Sequence, residues 1–418
     1  MDLDAYRARA QSLATELNRA HHRRFAGHDG AWDPESLYAR HAAAYDEDAI
    51  DALRHAAVDE ARGGDGPQPA RRLLRFAVEA RLGSVTAQTD AARARAEADA
   101  GLAELTSALA TAPDLARRVA LEEQRLDVVA RTLTPLAAEA LERVRAEVRA
   151  LGWPSPRTLL ATLHGRDPGA LAAEAEALLR ATAAPALDGG DGDAATARLD
   201  LPRVHRAAWA DALLPGDLVA ALRADLRHLG LEDGGFALDA DARPGKSPRA
   251  FCAAIEVPGD VHLVVSPRGG LTDLEALFHE AGHATFLAHR DPRAPFEDRH
   301  LTDPAHAEAL AFAMEARATQ GVDDERLARH RDAMATLRMR HLAATLLHGL
   351  DLLDDGPHPA LRERYARRMA TATGLTWPSA PWLTSADPLL SSADYLRALA
   401  RARALAEPGA LVAALTKV

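Results

Sequence analysis

The chain has 418 residues, a formal net charge of −11 and a single cysteine, Cys252. That length can bury a large core, and one cysteine excludes both an intramolecular disulfide and a Cys-rich zinc site. The 50 basic residues are almost all arginine, with Lys246 and Lys417 the only lysines, and they form no basic block, which argues against nucleic acid or an anionic membrane surface as partner.

No run of 18 apolar residues and no charged-then-apolar leader is present, so the sequence reads as a soluble, cytoplasmic protein. Long runs of Ala, Leu, Arg and Glu with only 4% aromatic residues predict a mainly α fold.

Leu3, Tyr6, Leu13 and Leu17 give residues 1–25 the period of an amphipathic helix, ending in the solvated cluster His21-His22-Arg23-Arg24. After a break over Gly27–Asp33, Pro34 opens a second helical stretch that runs to the loop Gly63–Pro67. Ala70–Arg149 reads as helix after helix, interrupted near Pro113 and Pro135, without a fixed-period repeat. Turns follow at Gly152–Pro156 and His164–Pro168, then a helix over Ala170–Ala183. The Gly-rich Ala184–Leu199 is the most linker-like stretch, and it divides the chain into an N-terminal helical lobe, 1–195, and a second lobe, 196–418. Asp191 and Asp193 there lack the downstream Glu of a calcium loop.

Beyond two helices in Leu201–Leu229 the texture changes. Phe236–Leu238, Arg249–Val257 and Val261–Ser266 read as short strands, the last two joined by a turn at Pro258-Gly259-Asp260. This small sheet either offers an edge to an extended substrate or simply covers the next helix.

That next helix, 273–289, carries the chemistry. Its start is predicted by a Thr272/Glu275 capping box and its apolar stripe by Leu274, Leu277, Phe278 and Ala281. Within it His279, Glu280 and His283 form H-E-x-x-H, which puts two imidazoles on one face, able to reach one zinc ion, with Glu280 beside them as general base. Such a trio set among Leu277-Phe278 and Ala284–Ala288 needs a partner such as a metal.

Catalytic zinc needs a third protein ligand and an open position. His289 has the offset of a second H-E-x-x-H pattern, but Phe286 stands where that pattern requires a turning glycine. Asp303, 20 residues after His283, reads better as an N-cap before Pro304. Glu308, 25 residues after His283, lies in an apolar helix with Glu315 seven residues on; a ligand plus an acceptor for a ligating histidine accounts for both carboxylates. Metal ligands are therefore assigned to His279, His283 and Glu308, for one zinc ion per chain.

His279-Glu280-Ala281-Gly282-His283 with Glu308 resembles the thimet oligopeptidase / oligoendopeptidase F family of zinc metallopeptidases. Gly245-Lys246-Ser247-Pro248-Arg249-Ala250-Phe251-Cys252 is similar to the G-K-x-x-G-A-x-C stretch preceding that family's zinc helix, with Arg249 in place of the second Gly. Ser392–Leu399 resembles a C-terminal segment of bacterial members. The resemblance implies a two-lobed helical clamshell with a zinc-floored channel, acting on short peptides. It also implies that a His and several Tyr near the C-terminus stabilise the oxyanion. In Thr384–Tyr395 no His is present and Leu389-Leu390 occupy the place of aromatics, which leaves Tyr395 as the oxyanion donor and Arg397 as a lesser candidate. The chain also closes soon after, so a thinner channel wall is expected. These departures keep open a specialised zinc amidase acting on one small peptide-like metabolite, and a catalytically idle protein that binds peptides. His341 and His348, seven apart on a helix, read as core or surface histidines, and Lys246 lacks the glycines of a phosphate loop.

Overall fold

Asp2 opens the first helix, α1 (Leu3–Phe25), by accepting hydrogen bonds from the Asp4 and Ala5 N–H groups, the expected behaviour of an aspartate N-cap. The structure, a computed structural model, describes residues 2–28, 32–62, 68–112, 114–188, 194–232 and 234–416. The loop Gly63–Pro67, Pro113 and the Gly-rich centre of the linker, 189–193, lie outside the described residues, as does Lys417. Helices dominate. The other elements that matter for function are α2 (Pro69–Asp99), α3 (Leu218–His228), β1 (Ala237–Asp239), β2 (Phe251–Glu256), β3 (Asp260–Val264), α4 (Leu271–Ala288), α5 (Phe296–His300), α6 (Pro304–Arg317), α7 (Glu325–Asp355) and α8 (Ser391–Ala402). Among the described residues no helix is long and apolar enough to cross a membrane.

The chain forms two compact units, and neither is contiguous. The first is 1–84, 213–322 and 397–418; the second is 85–212 and 323–396. The expected division at 195/196 does not coincide with them. Two of the four boundaries, 84/85 and 396/397, fall inside α2 and α8, where a continuous helical pattern gives the sequence no punctuation to mark them.

In the first unit β3 is the central strand, parallel to β1 and antiparallel to β2. Because strand side chains alternate, the paired residues Cys252/Leu263 and Ala254/Val261 share one face and join the core built on α4, while Phe251 and His262 occupy the other. That second face is covered by α1: Phe25 meets Phe251 edge-on at 6.1 Å, and His22 stacks on His262 at 4.3 Å.

The core helix α4 buries Leu274, Leu277, Phe278, Ala281 and Ala284 against α3, β3 and α6. It begins at Leu271 behind Gly270, whose φ of 91° only glycine adopts cheaply, and no side chain caps it. The helix thus starts one residue ahead of Thr272, at the turn of Gly269 and Gly270. Between α4 and α6 the backbones nearly touch, since a Cβ at Gly282 would sit 2.7 Å from Ala311 Cα.

The second unit is organised on α7. One side of that helix packs Leu346, Leu350 and Leu353 with Leu160, Leu171 and Leu390; another packs Ala344 and Leu352 with Tyr365 and Met369. The buried Arg340 guanidinium is satisfied by carbonyls, donating to Ala372 O at 2.6 Å and Leu179 O at 2.9 Å.

Candidate metal centre

His279 and His283 are one turn apart on α4, and their rings lie 5.1 Å apart. Close packing at Gly282 brings α6 against this face, and Glu308, one turn into α6, meets both imidazoles. Its Oε2 is 3.3 Å from His279 Nε2 and its Oε1 is 3.6 Å from His283 Nε2. One donor atom from each of His279, His283 and Glu308 lies within 4.8 Å of the others. Glu315, two turns further along α6, takes the other side of the first histidine, with Oε2 3.0 Å from His279 Nδ1. Phe312, on the intervening turn, sets its ring 5.1 Å from that of His279 and helps fix it edge-on.

The electrostatics follow from this crowding. Burial disfavours a charged His279 ring, yet the carboxylates of Glu308 and Glu315 outweigh it and raise its pKa to about 9. Burial likewise favours a neutral Glu308, but His279 and His283 override it and lower its pKa to about 2. The donors fit a zinc ion: two imidazole nitrogens, one carboxylate, and a Glu315 bond that holds the proton on Nδ1 and leaves Nε2 to ligate. Glu308 Oε2 is a buried oxygen with no well-aligned hydrogen bond, although a histidine nitrogen stands 3.3 Å away. Three donor atoms converging from two helices are the geometry of ligands aimed at a shared centre.

Glu280 points to the sheet side of this cluster. Its Oε2 accepts a hydrogen bond of 2.9 Å from the Cys252 N–H on β2. Sequence reasoning did not find this contact, because a backbone donor leaves no residue-type signature. Burial and the nearby Glu280 charge both push the Cys252 thiol pKa upward, which leaves it an inert thiol.

The chain shares the fold of PZ peptidase A. A structure of that protein with an inhibitor matches at a TM-score of 0.60 and 14% identity, over 94% of this chain and 80% of that one. Trypanosoma cruzi metallocarboxypeptidase 1 matches at a TM-score of 0.48 and 15% identity, over 96% and 85%. A Bacillus anthracis chain assigned as an oligoendopeptidase F matches at 0.47 and 13%, over 90% and 73%. At these identities the likeness is one of fold. No family model and no curated protein matches the sequence.

The remaining candidates fall elsewhere. His289 ends α4 and turns back on it, Nδ1 lying 2.8 Å from Thr285 O. Asp303 caps α6, accepting from Ala305 N–H at 3.1 Å, and pairs with Arg401 at 2.8 Å and Arg397 at 3.3 Å. Lys246 is buried, its Nζ donating to Asp239 O, Asp239 Oδ1 and Asp241 O at 2.8–2.9 Å, so it staples the loop ahead of β2. In the second unit His348 is fully buried with Nε2 2.7 Å from Trp382 O, and His341 lies against Trp377, its pKa pushed down to about 4 by burial and by Arg198. Tyr395 is half-buried on α8 in that unit, and the preceding Leu390 is fully buried.

Proposed function

We propose that the chain is a zinc-dependent metallopeptidase that hydrolyses peptide bonds of short peptides. The observation that carries this reading is the convergence of donor atoms of His279, His283 and Glu308 within 4.8 Å of one another. The fold shared with a peptidase agrees with it.

A zinc ion held by these three donors supplies a Lewis acid that acidifies water and polarises a carbonyl. The side chains do the rest. Glu315 keeps the proton on His279 Nδ1. The Cys252 N–H holds Glu280 by Oε2, so that Oε1 takes the water proton as the water oxygen bonds to the carbonyl carbon, then delivers it to the leaving amine as the carbon–nitrogen bond breaks. Tyr395 is assigned as hydroxyl donor to the developing oxyanion, a role read from the sequence resemblance.

Metal analysis of the purified protein and a quenched peptide library test the assignment. Glu308→Ala is expected to lose zinc. Glu280→Gln is expected to keep zinc and lose cleavage by about 10²-fold or more. Full zinc occupancy in Glu308→Ala refutes the ligand set, and equal cleavage by wild type and Glu280→Gln refutes the mechanism.

A further inference from the structure

The outer edge of β2 belongs to the same unit as the metal centre and is bounded at both ends by side chains of this chain. Cys252 directs its N–H away from β3, to Glu280 Oε2 at 2.9 Å. Two residues on, Ala254 directs its carbonyl to the same edge, where it accepts 2.7 Å from Asn18 Nδ2 on α1. In a strand the N–H and C=O of one residue point the same way, and alternate residues share an edge. Cys252 C=O and Ala254 N–H therefore also face outward, between the two occupied groups, and no partner for either is found among the described residues. Cys252 and Ala254 are each partly exposed as whole residues.

We infer that Asn18 sets the length of substrate this edge accepts. Resting on the peptidase reading above, a peptide extended along β2 forms one pair of hydrogen bonds, to Cys252 C=O and Ala254 N–H, on the adjacent peptide units either side of Ala253. It then meets Asn18 in place of the next acceptor. One end of the span is Glu280, so the paired residues lie next to the bond being cut, and the other end is a stop. Asn18 lies between Ala14, one turn before and buried, and His22, one turn after and stacked on His262. The rest of α1's seat on the sheet, Phe25 on Phe251 and Arg19 beside Glu256, does not need Asn18.

The test is a ladder of peptides lengthened one residue at a time, on either side of the cleaved bond, with kcat/KM measured for the zinc-loaded wild type and Asn18→Ala. Alanine keeps the helix, and thermal melting monitors it. Uncapping Ala254 O is expected to raise kcat/KM for the longer peptides relative to the shorter by about fivefold, the worth of one net backbone hydrogen bond, on one side only. N-methylation of the added residue's N–H is expected to abolish that gain. An unchanged length profile in Asn18→Ala, or a gain that survives N-methylation, overturns the role of Asn18 while leaving the peptidase reading intact. Absence of cleavage of every peptide by the zinc-loaded wild type overturns both.

Discussion

Gly282→Ala probes the contact on which the whole centre depends. The added Cβ would lie 2.7 Å from Ala311 Cα and 3.2 Å from both Ala311 N and Leu310 O. All three are backbone atoms, so no side chain can swing aside, and α6 must retreat by roughly 0.7 Å to reach ordinary van der Waals contact. Overpacking of this kind costs about 1–3 kcal/mol, against which alanine returns about 1 kcal/mol of helix propensity. The net effect on stability is therefore modest. The effect on the metal is not, because Glu308 sits on α6 three residues before Ala311 and moves with it, whereas ligand distances tolerate only about 0.2 Å. We expect zinc affinity to fall by at least tenfold, measured by competition with a chromogenic chelator, while the melting temperature of the metal-free protein shifts by only a few degrees. Wild-type zinc affinity in Gly282→Ala would refute the idea that backbone contact at this glycine positions Glu308.

Glu315→Gln is expected to lower zinc affinity about 10- to 100-fold in the same competition assay, because it weakens the acceptor that fixes the His279 ring. Arg317 donates to Asp225 at 2.6 and 2.8 Å with its side chain only 6% exposed, so Arg317→Met should cost about 3–5 kcal/mol in denaturant unfolding, by leaving Asp225 unpaired; the double variant with Asp225→Leu should recover most of it. Asp303→Ala removes an N-cap and is expected to cost about 1 kcal/mol of stability yet keep full zinc, unlike Glu308→Ala. Burial acts to raise the Asp303 pKa, but Arg401 and Arg397 hold it below the usual carboxylate range; its contribution to stability is thus present above that range, is lost as pH falls through the lowered pKa, and should be missing from the acid limb of the Asp303→Ala unfolding profile.

The metal half of the site was legible because each part of it obeys a short-range rule. His279 and His283 announce themselves by helical spacing, and Asp303 by the Asp-Pro that opens α6. Glu308 and Glu315 stood out as two carboxylates in a run of Ala, Leu, Phe and Met. The three strands follow from β-branched or alternating apolar residues and the turn at Pro258-Gly259-Asp260, while α4 starts two residues before the expected 273, at a glycine turn that carries no side-chain signal. What could not be read is what crosses long sequence distances through backbone groups. Asn18 and Ala254 are 236 residues apart, Cys252 and Glu280 are joined through an N–H that any residue but proline provides, and two of the four crossings between the units pass through the interior of helices.

Gly282 links these scales. In the sequence it is the fourth residue of His-Glu-Ala-Gly-His, and its meaning there rests on resemblance; in the structure it is the point where α4 has no side chain and α6 can come within backbone contact. That approach is what brings a glutamate 25 residues downstream beside the two histidines, while His289 and Asp303 lie elsewhere. His289 has rotated off the face that α6 covers, and Asp303 precedes the part of α6 that makes the contact. On the proposed assignment, the glycine is thus what brings Glu308, rather than His289 or Asp303, to the two histidines.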